Sequence, residues 1–169
     1  MSQKPRKKRQ EWEARYASDY VSTTHPNATV FMRLKLGSLP SPLSSEELTD
    51  SERRSLAVRQ RWLDAAVILP ASIRLIEAKL RAHEYLTGIA QLEAYTVIAP
   101  HTPEFTEYLP RRFEPMLVVP LRDDLTEYLC HQKNIMYVVF RPTWFESYLQ
   151  TLLGRHKRTQ APRSWLDDK

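Results

Sequence analysis

Two apolar, β-branched runs, Arg61–Leu69 and Ser72–Leu80, are separated only by Pro70 and Ala71. That spacing predicts an antiparallel hairpin with the proline where the chain turns. Side chains alternate along a strand, so Ile73, Leu75, Glu77 and Lys79 fall on one side of the second arm and Arg74, Ile76, Ala78 and Leu80 on the other. Upstream, Trp12, Ala14, Tyr16 and Tyr20 with interleaved charges predict a helix over Glu11–Val21, and Val30, Phe31 and Met32 a strand over Ala28–Leu36. Gly37–Leu48 reads as a prolyl loop, with Ser44 or Ser45 capping a short helix over Glu46–Arg54. Downstream, a Leu-, Ala- and Glu-rich helix spans Ala82–Ala99 despite Gly88 and stops at Pro100. One or two helical turns over Pro103–Leu109 come next, then a strand at Phe113–Leu121 and a helix opened by Asp123 and Asp124 and running to Gln132. A strand at Ile135–Phe140 and a helix at Trp144–Leu153 complete the pattern. This order predicts a mixed α/β (α+β) domain, a central mixed β-sheet flanked by helices.

The length, 169 residues with 42% hydrophobic and 27% charged, suits one domain with a real core. Three glycines and the single Cys130 exclude collagen, a disulfide framework and a cysteine-rich zinc cluster within one chain. There is no run of apolar residues long enough for a membrane span and no signal pattern at the N-terminus, so a soluble intracellular protein without membrane association is expected. The formal net charge of +5 is unevenly placed: residues 1–10 carry five cations, residues 155–169 are basic, and the intervening stretch is mildly acidic. The expected organisation is a flexible basic tail over residues 1–10, one domain over 11–154 and a basic tail over 155–169. Lys7, Lys8 and Arg9 are candidate contacts to a polyanion, and the alternative is a solvated chain end.

Within the apolar first arm of the hairpin stands Asp64, whose carboxylate would cost several kcal/mol to bury unpaired. Two compensations are open: an ion pair among Asp64, Glu77 and Lys79, or a divalent cation shared between the carboxylates. The triplet sits in the context Arg61-Trp62-Leu63-Asp64-Ala65-Ala66-Val67, a turn, Leu75-Ile76-Glu77-Ala78-Lys79, then Gln91-Leu92-Glu93-Ala94-Tyr95 on a helix. In that order it resembles the core of the PD-(D/E)XK nuclease superfamily. The resemblance covers about residues 59–97, and more loosely the α-β-β-β-α-β order over residues 11–121. It implies a restriction-endonuclease-like core with C-terminal additions. Asp64 matches the isolated acid of the motif, Glu77 the second acid and Lys79 the lysine. Gln91 and Tyr95 match a Gln-x-x-x-Tyr helix found in many members. Leu63 stands where many members have proline. The resemblance leaves open which of Glu11, Glu13 or Asp19 supplies a further acid from the first helix.

The resemblance implies Mg²⁺-dependent hydrolysis of DNA phosphodiester bonds, with Mn²⁺ as a substitute. Asp64, Glu77 and the Ala78 backbone carbonyl would hold the ion, Lys79 would act on water and on the phosphoryl oxygens, and Gln91 and Tyr95 would support the site. A nuclease of the kind carried by phages or mobile elements is the leading reading. The alternative is a non-catalytic virion or DNA-complex assembly protein that keeps the scaffold. DNA is the expected partner, in a homodimer or a larger nucleoprotein assembly. Arg111 and Arg112, before a strand, are further candidate nucleic-acid contacts. His25, His83, His101, His131 and His156 lack metal-ligand spacing and are expected at the surface. Trp144, Phe145 and Tyr148 are expected in the core, and Asp123 and Asp124 are expected to open a helix.

Overall fold

The structure, a computed structural model of the chain, describes residues 5–37 and 61–159, with side chains described over 11–37 and 61–152. The predicted helix over Glu46–Arg54 and most of the prolyl loop therefore lie outside the described residues, as do residues 160–169. The chain runs through α1 (Pro5–Thr24), β1 (Thr29–Leu36), β2 (Arg61–Ile68) and β3 (Ser72–Ala78). A 3₁₀ turn at Ala82–Glu84 leads into α2 (Tyr85–Ile98), and two more turns, Ala99–His101 and Pro103–Tyr108, lead to β4 (Arg112–Val119). Then come α3 (Asp124–Gln132), β5 (Met136–Val139) and α4 (Phe145–Thr159).

The five strands form one mixed sheet in sequence order, β1-β2-β3-β4-β5. β2 runs antiparallel to both β1 and β3, and β4 and β5 continue the sheet parallel to β3. The three-residue connection between β2 and β3 can only reverse the strand, whereas the parallel steps need crossovers, here through α2 and α3. Pro115 is tolerated because β5 begins pairing only at Met116, so at 115 the strand has a neighbour on one side alone.

Each face of the sheet carries its own core. On one, Leu75, Ile73, Ala66 and Leu117 pack against Tyr85, Ile89, Leu92 and Tyr95 of α2, with Phe105 and Cys130. On the other, Ala65, Val67, Ile76, Ala78 and Val118 pack against Tyr16, Ala17, Tyr20 and Val21 of α1 and Phe145 and Tyr148 of α4. The result is a sheet between two helical layers. Trp12 lies against both Trp144 and Tyr148, at 5.0 and 5.5 Å between ring centroids, and Tyr16 Oη donates to the Phe140 carbonyl at 2.6 Å. Phe145 and Tyr148 are thus core, as expected, and Trp144, just before α4, packs half-buried against them. Asp123 caps α3 by accepting from the Thr126 amide at 2.7 Å, so Asp123 and Asp124 do open a helix.

The two largest departures from the sequence reading are at the start of α1 and the end of α4. α1 begins at Pro5, six residues before the expected Glu11, so the backbone of Lys7, Lys8 and Arg9 is part of the helix; proline at a first helical position favours that start. α4 runs on to Thr159, beyond the expected Leu153. No helix among the described residues is long and apolar enough to cross a membrane.

Candidate metal and phosphate site

The hairpin opens where its ladder ends. β2 and β3 pair from Ile68↔Ile73 to Ala65↔Ile76, and the next position of that register would set Asp64 opposite Glu77. At this point the Asp64 carboxylate takes over: its Oδ2 accepts the Ala78 amide at 2.9 Å. In extended backbone the N–H and C=O of one residue face the same neighbour, so the Ala78 carbonyl also turns toward the gap left by β2.

A change of phase in both outer strands accompanies this opening. Along β1 the positions packed on the α2 face are Phe31 and then Leu34 and Leu36; along β2 they are Leu63 and then Ala66 and Ile68. The alternation slips at Arg33 and Asp64, which stand opposite each other between the pairs Met32↔Ala65 and Leu34↔Leu63. Arg33 accommodates the slip with a left-handed backbone, φ 49°, uncommon for a residue other than glycine, asparagine or aspartate.

The gap is a cavity of about 250 Å³ lined by Glu13 and Ala14 of α1, Arg33 of β1, Trp62, Leu63 and Asp64 of β2, Glu77 and Lys79 at the end of β3, and Gln91 of α2. Both helical layers reach it, because it lies at the end of the sheet and not on a face. Lys79 Nζ donates to Glu77 Oε1 at 2.6 Å, and the two side chains are 13% and 3% exposed. The stem of Lys79 has room because residue 88 is glycine: a Cβ there would stand 3.2 Å from Lys79 Cγ and 2.7 Å from Leu117 Cδ1.

The electrostatics follow from three carboxyls and two cations in a small volume. Burial pushes the Glu77 carboxyl up to about 8, the neighbouring Asp64 charge adds to the rise, and Lys79 offsets only part of it. Burial also raises Asp64, against the lowering effect of the Ala78 amide, Lys79 and Arg33. For Lys79 burial works against the charge, but Glu77, Asp64 and Glu13 outweigh it and hold the ammonium above the ordinary lysine value. The cluster therefore keeps its ammonium and retains one extra proton among its acids.

Two polar atoms in this cavity, Glu77 Oε2 and Gln91 Oε1, are buried without a hydrogen-bond partner, although buried polar atoms are normally satisfied. A hard cation with its waters would satisfy them: Mg²⁺ prefers one or two carboxylates and keeps several waters. Among the described residues no group of three or more His, Cys, Asp or Glu side chains is arranged to hold a metal ion. What the fold offers is the two-carboxylate kind, Asp64 and Glu77, with the Ala78 carbonyl beside them.

Of the three acids on α1, Glu13 reaches the cavity. Asp19 instead accepts from Trp144 Nε1 and pairs with Arg15, and Glu11 is exposed. Gln91 lines the cavity and donates to Tyr95 Oη at 3.2 Å; Tyr95 Oη in turn donates to the Trp62 carbonyl at 2.8 Å. Tyr95 is fully buried, with burial raising its pKa, so it positions Trp62 and Gln91 and is not among the residues lining the cavity. Arg111 and Arg112 are not brought here. Arg112 pairs with Ser72 at the far end of β3, six residues or roughly 20 Å along the strand from Ala78. It is bound to Glu114 at 2.8 Å, while Arg111 lies over the Tyr108 ring. The side chains of Lys7, Lys8 and Arg9 lie outside those described. His25 is half-buried, with its Nε2 enclosed and unpartnered, against the expectation of a surface residue.

Arg33, Trp62 and Gly88 were not singled out by the sequence. The first two become visible only once β1 is set in register with β2; Gly88, one of three glycines in the chain and one of two that stand in described helices, carried a signal in the rarity of glycine.

The chain matches no protein-family model and no curated protein. Among solved structures it is similar to a protein of unknown function, AF1548, at 9% identity and a TM-score of 0.43, over 93% of this chain and 72% of that one. It is also similar to the protein VC1899 from Vibrio cholerae at 14% identity and a TM-score of 0.38, over 85% of this chain and 32% of that one.

Proposed function

We propose that this protein is a Mg²⁺-dependent nuclease that hydrolyses DNA phosphodiester bonds, built on a restriction-endonuclease-like core of the PD-(D/E)XK kind. The observation that carries the reading is the meeting of Asp64, Glu77, Lys79 and Gln91 in one cavity, with Glu77 Oε2 buried and unpartnered. Ion pairing within the cluster explains Glu77 Oε1 but leaves Oε2 without a role.

Asp64, Glu77 and the Ala78 carbonyl would hold the ion, which when bound supplies Lewis-acid stabilisation of the phosphoryl oxygens. Asp64 and Glu77 are hard anionic oxygen donors, as such an ion requires. Lys79, kept charged by its neighbours, donates hydrogen bonds to the phosphoryl oxygens on which charge accumulates, and a raised pKa suits that task better than proton abstraction. Gln91, anchored on Tyr95, presents its Oε1 to a water and helps orient it. Glu13 adds negative potential on the α1 side, which strengthens cation binding.

Cleavage of supercoiled, linear and single-stranded DNA in Mg²⁺ and in Mn²⁺ tests the reading. The wild type is expected to cleave at least one form, and folded Glu77→Gln and Lys79→Ala proteins to lose roughly a hundredfold or more of the rate. Failure of the wild type on every form with either ion would overturn it in favour of the non-catalytic assembly role.

A further inference from the structure

Trp62 is 59% exposed and stands at the mouth of the cavity, two residues before Asp64. An indole is a poor residue to leave in water, and the described chain treats its other tryptophans differently: Trp12 and Trp144 pack together in the core formed with Tyr148. Trp62 is nonetheless held firmly. Its backbone is in the β1–β2 ladder, and its carbonyl accepts from the buried Tyr95 hydroxyl at 2.8 Å. Directly opposite in the register is Lys35, and directly opposite residues of an antiparallel pair share a face with Cβ atoms about 5 Å apart. Arg33, two residues earlier on β1, is exposed and lines the same cavity. The rim on this side thus joins an exposed indole on an anchored backbone to the cations of β1, beside a cavity whose interior carries more carboxyls than ammonium groups.

Each part of this arrangement fits a different part of one ligand. Cations along a strand match successive phosphates. A flat exposed indole matches the face of a base, and stacking of this kind tolerates any base. Inside a duplex that face is already covered by its neighbours, so a side chain fixed on a strand can reach it only where the base is unpaired. Along β2, Trp62 and Asp64 are roughly 7 Å apart, which seats the stacked base on the nucleotide next to the phosphate presented to Asp64 and Glu77.

We propose that Trp62, flanked by Lys35 and Arg33, is a stacking platform for one unpaired base of DNA, so that the site takes single-stranded DNA or a frayed end in preference to intact duplex. The proposal deepens the nuclease reading and rests on it for the identity of the polymer. It assigns Trp62 to binding and leaves the chemistry with Asp64, Glu77 and Lys79.

The test is a binding measurement on the full chain in chelator, where cleavage cannot interfere. Fluorescence anisotropy with labelled poly(dT), the corresponding duplex and poly(U) is compared for the wild type, Trp62→Ala, Trp62→Phe and the double variant Arg33→Ala with Lys35→Ala. Each variant is first checked for an unchanged circular dichroism spectrum. The wild type is expected to bind poly(dT) more tightly than duplex. Trp62→Ala should weaken poly(dT) binding about tenfold while leaving duplex binding nearly unchanged, and Trp62→Phe should keep most of the affinity. The double variant should lower the slope of log affinity against log salt by about 1.4, two phosphate contacts on a single strand. Equal binding of single strand and duplex, no binding of DNA, or wild-type affinity in a folded Trp62→Ala protein would each overturn the platform, and tighter binding of poly(U) would overturn the choice of DNA. Cleavage separates the two readings. A wild type that cleaves DNA while Trp62→Ala binds normally keeps the nuclease and removes the platform; single-strand binding lost in Trp62→Ala, in a protein that cleaves nothing, does the reverse.

Discussion

Replacing Glu77 by glutamine should make the metal-free protein more stable in alkaline solution relative to the wild type. The carboxyl is 3% exposed and its pKa lies at about 8, against an ordinary 4.5. Between those values the folded chain holds a proton that the unfolded chain has released, so raising the pH favours unfolding. The contribution of Glu77 is complete below 4.5, falls as pH rises, and levels off past about 8. At about 1.4 kcal/mol per unit, moving from about pH 5.5 to about pH 8 costs the wild type on the order of 3 kcal/mol through this group. Glutamine has the same shape and no proton to lose. Lys79 stays charged throughout this range, so the difference between the two proteins isolates position 77. For a chain of this size, 1 kcal/mol corresponds to about 2–4 °C in Tm, and the variant should gain roughly 6–12 °C on the wild type between those pH values. Thermal unfolding followed by circular dichroism in chelator, across that range, measures it. Parallel curves of Tm against pH would refute the buried, proton-holding Glu77. Added Mg²⁺ should close the gap above neutral pH by binding the ionised wild-type carboxylate, and should leave the variant unmoved.

Position 64 separates scaffold from ion binding. Asp64→Asn retains an acceptor for the Ala78 amide and should fold normally with Mg²⁺-induced stabilisation lost, whereas Asp64→Ala should cost a further 1–3 kcal/mol by leaving a buried N–H unpaired; denaturant unfolding with and without Mg²⁺ distinguishes them. Tyr95→Phe removes the donor to the Trp62 carbonyl and the acceptor for Gln91, and is expected to lower stability by about 1–2 kcal/mol while reducing cleavage far less than Lys79→Ala does. Gly88→Ala gains about 1 kcal/mol in helix propensity but meets Leu117 and Lys79. Overpacking of about 1–3 kcal/mol should make it slightly destabilising overall, with a lower cleavage rate because the Lys79 stem is displaced.

The meeting of Glu77 and Lys79 was legible because the apolar alternation of Ile73 and Leu75 runs straight into them, and an unbroken strand keeps its phase. Asp64 was legible as a cost, a carboxylate within an apolar run, but its orientation was not. The slip of phase depends on a left-handed backbone at Arg33, and arginine gives no sign of one as glycine or asparagine would. Choosing Glu13 over Glu11 and Asp19 required knowing that Asp19 is engaged by Trp144, 125 positions away. Charge density made residues 1–10 read as a tail, although Pro5 suits a first helical position. Arg111 and Arg112 were placed by their charge alone, and only the parallel register of β3 and β4 shows that they belong to the opposite end of the sheet.

On the proposed function, the bond between the residue 64 carboxylate and the amide of Ala78 would make one side chain both a rivet in the framework and a claw for its cargo. Drawing that oxygen toward a cation would loosen the rivet, and loading of the pocket would then be transmitted to the main chain of the neighbouring strand. Solvent exchange of a single amide, that of residue 78, should accelerate on loading and thereby report occupancy without any substrate being turned over.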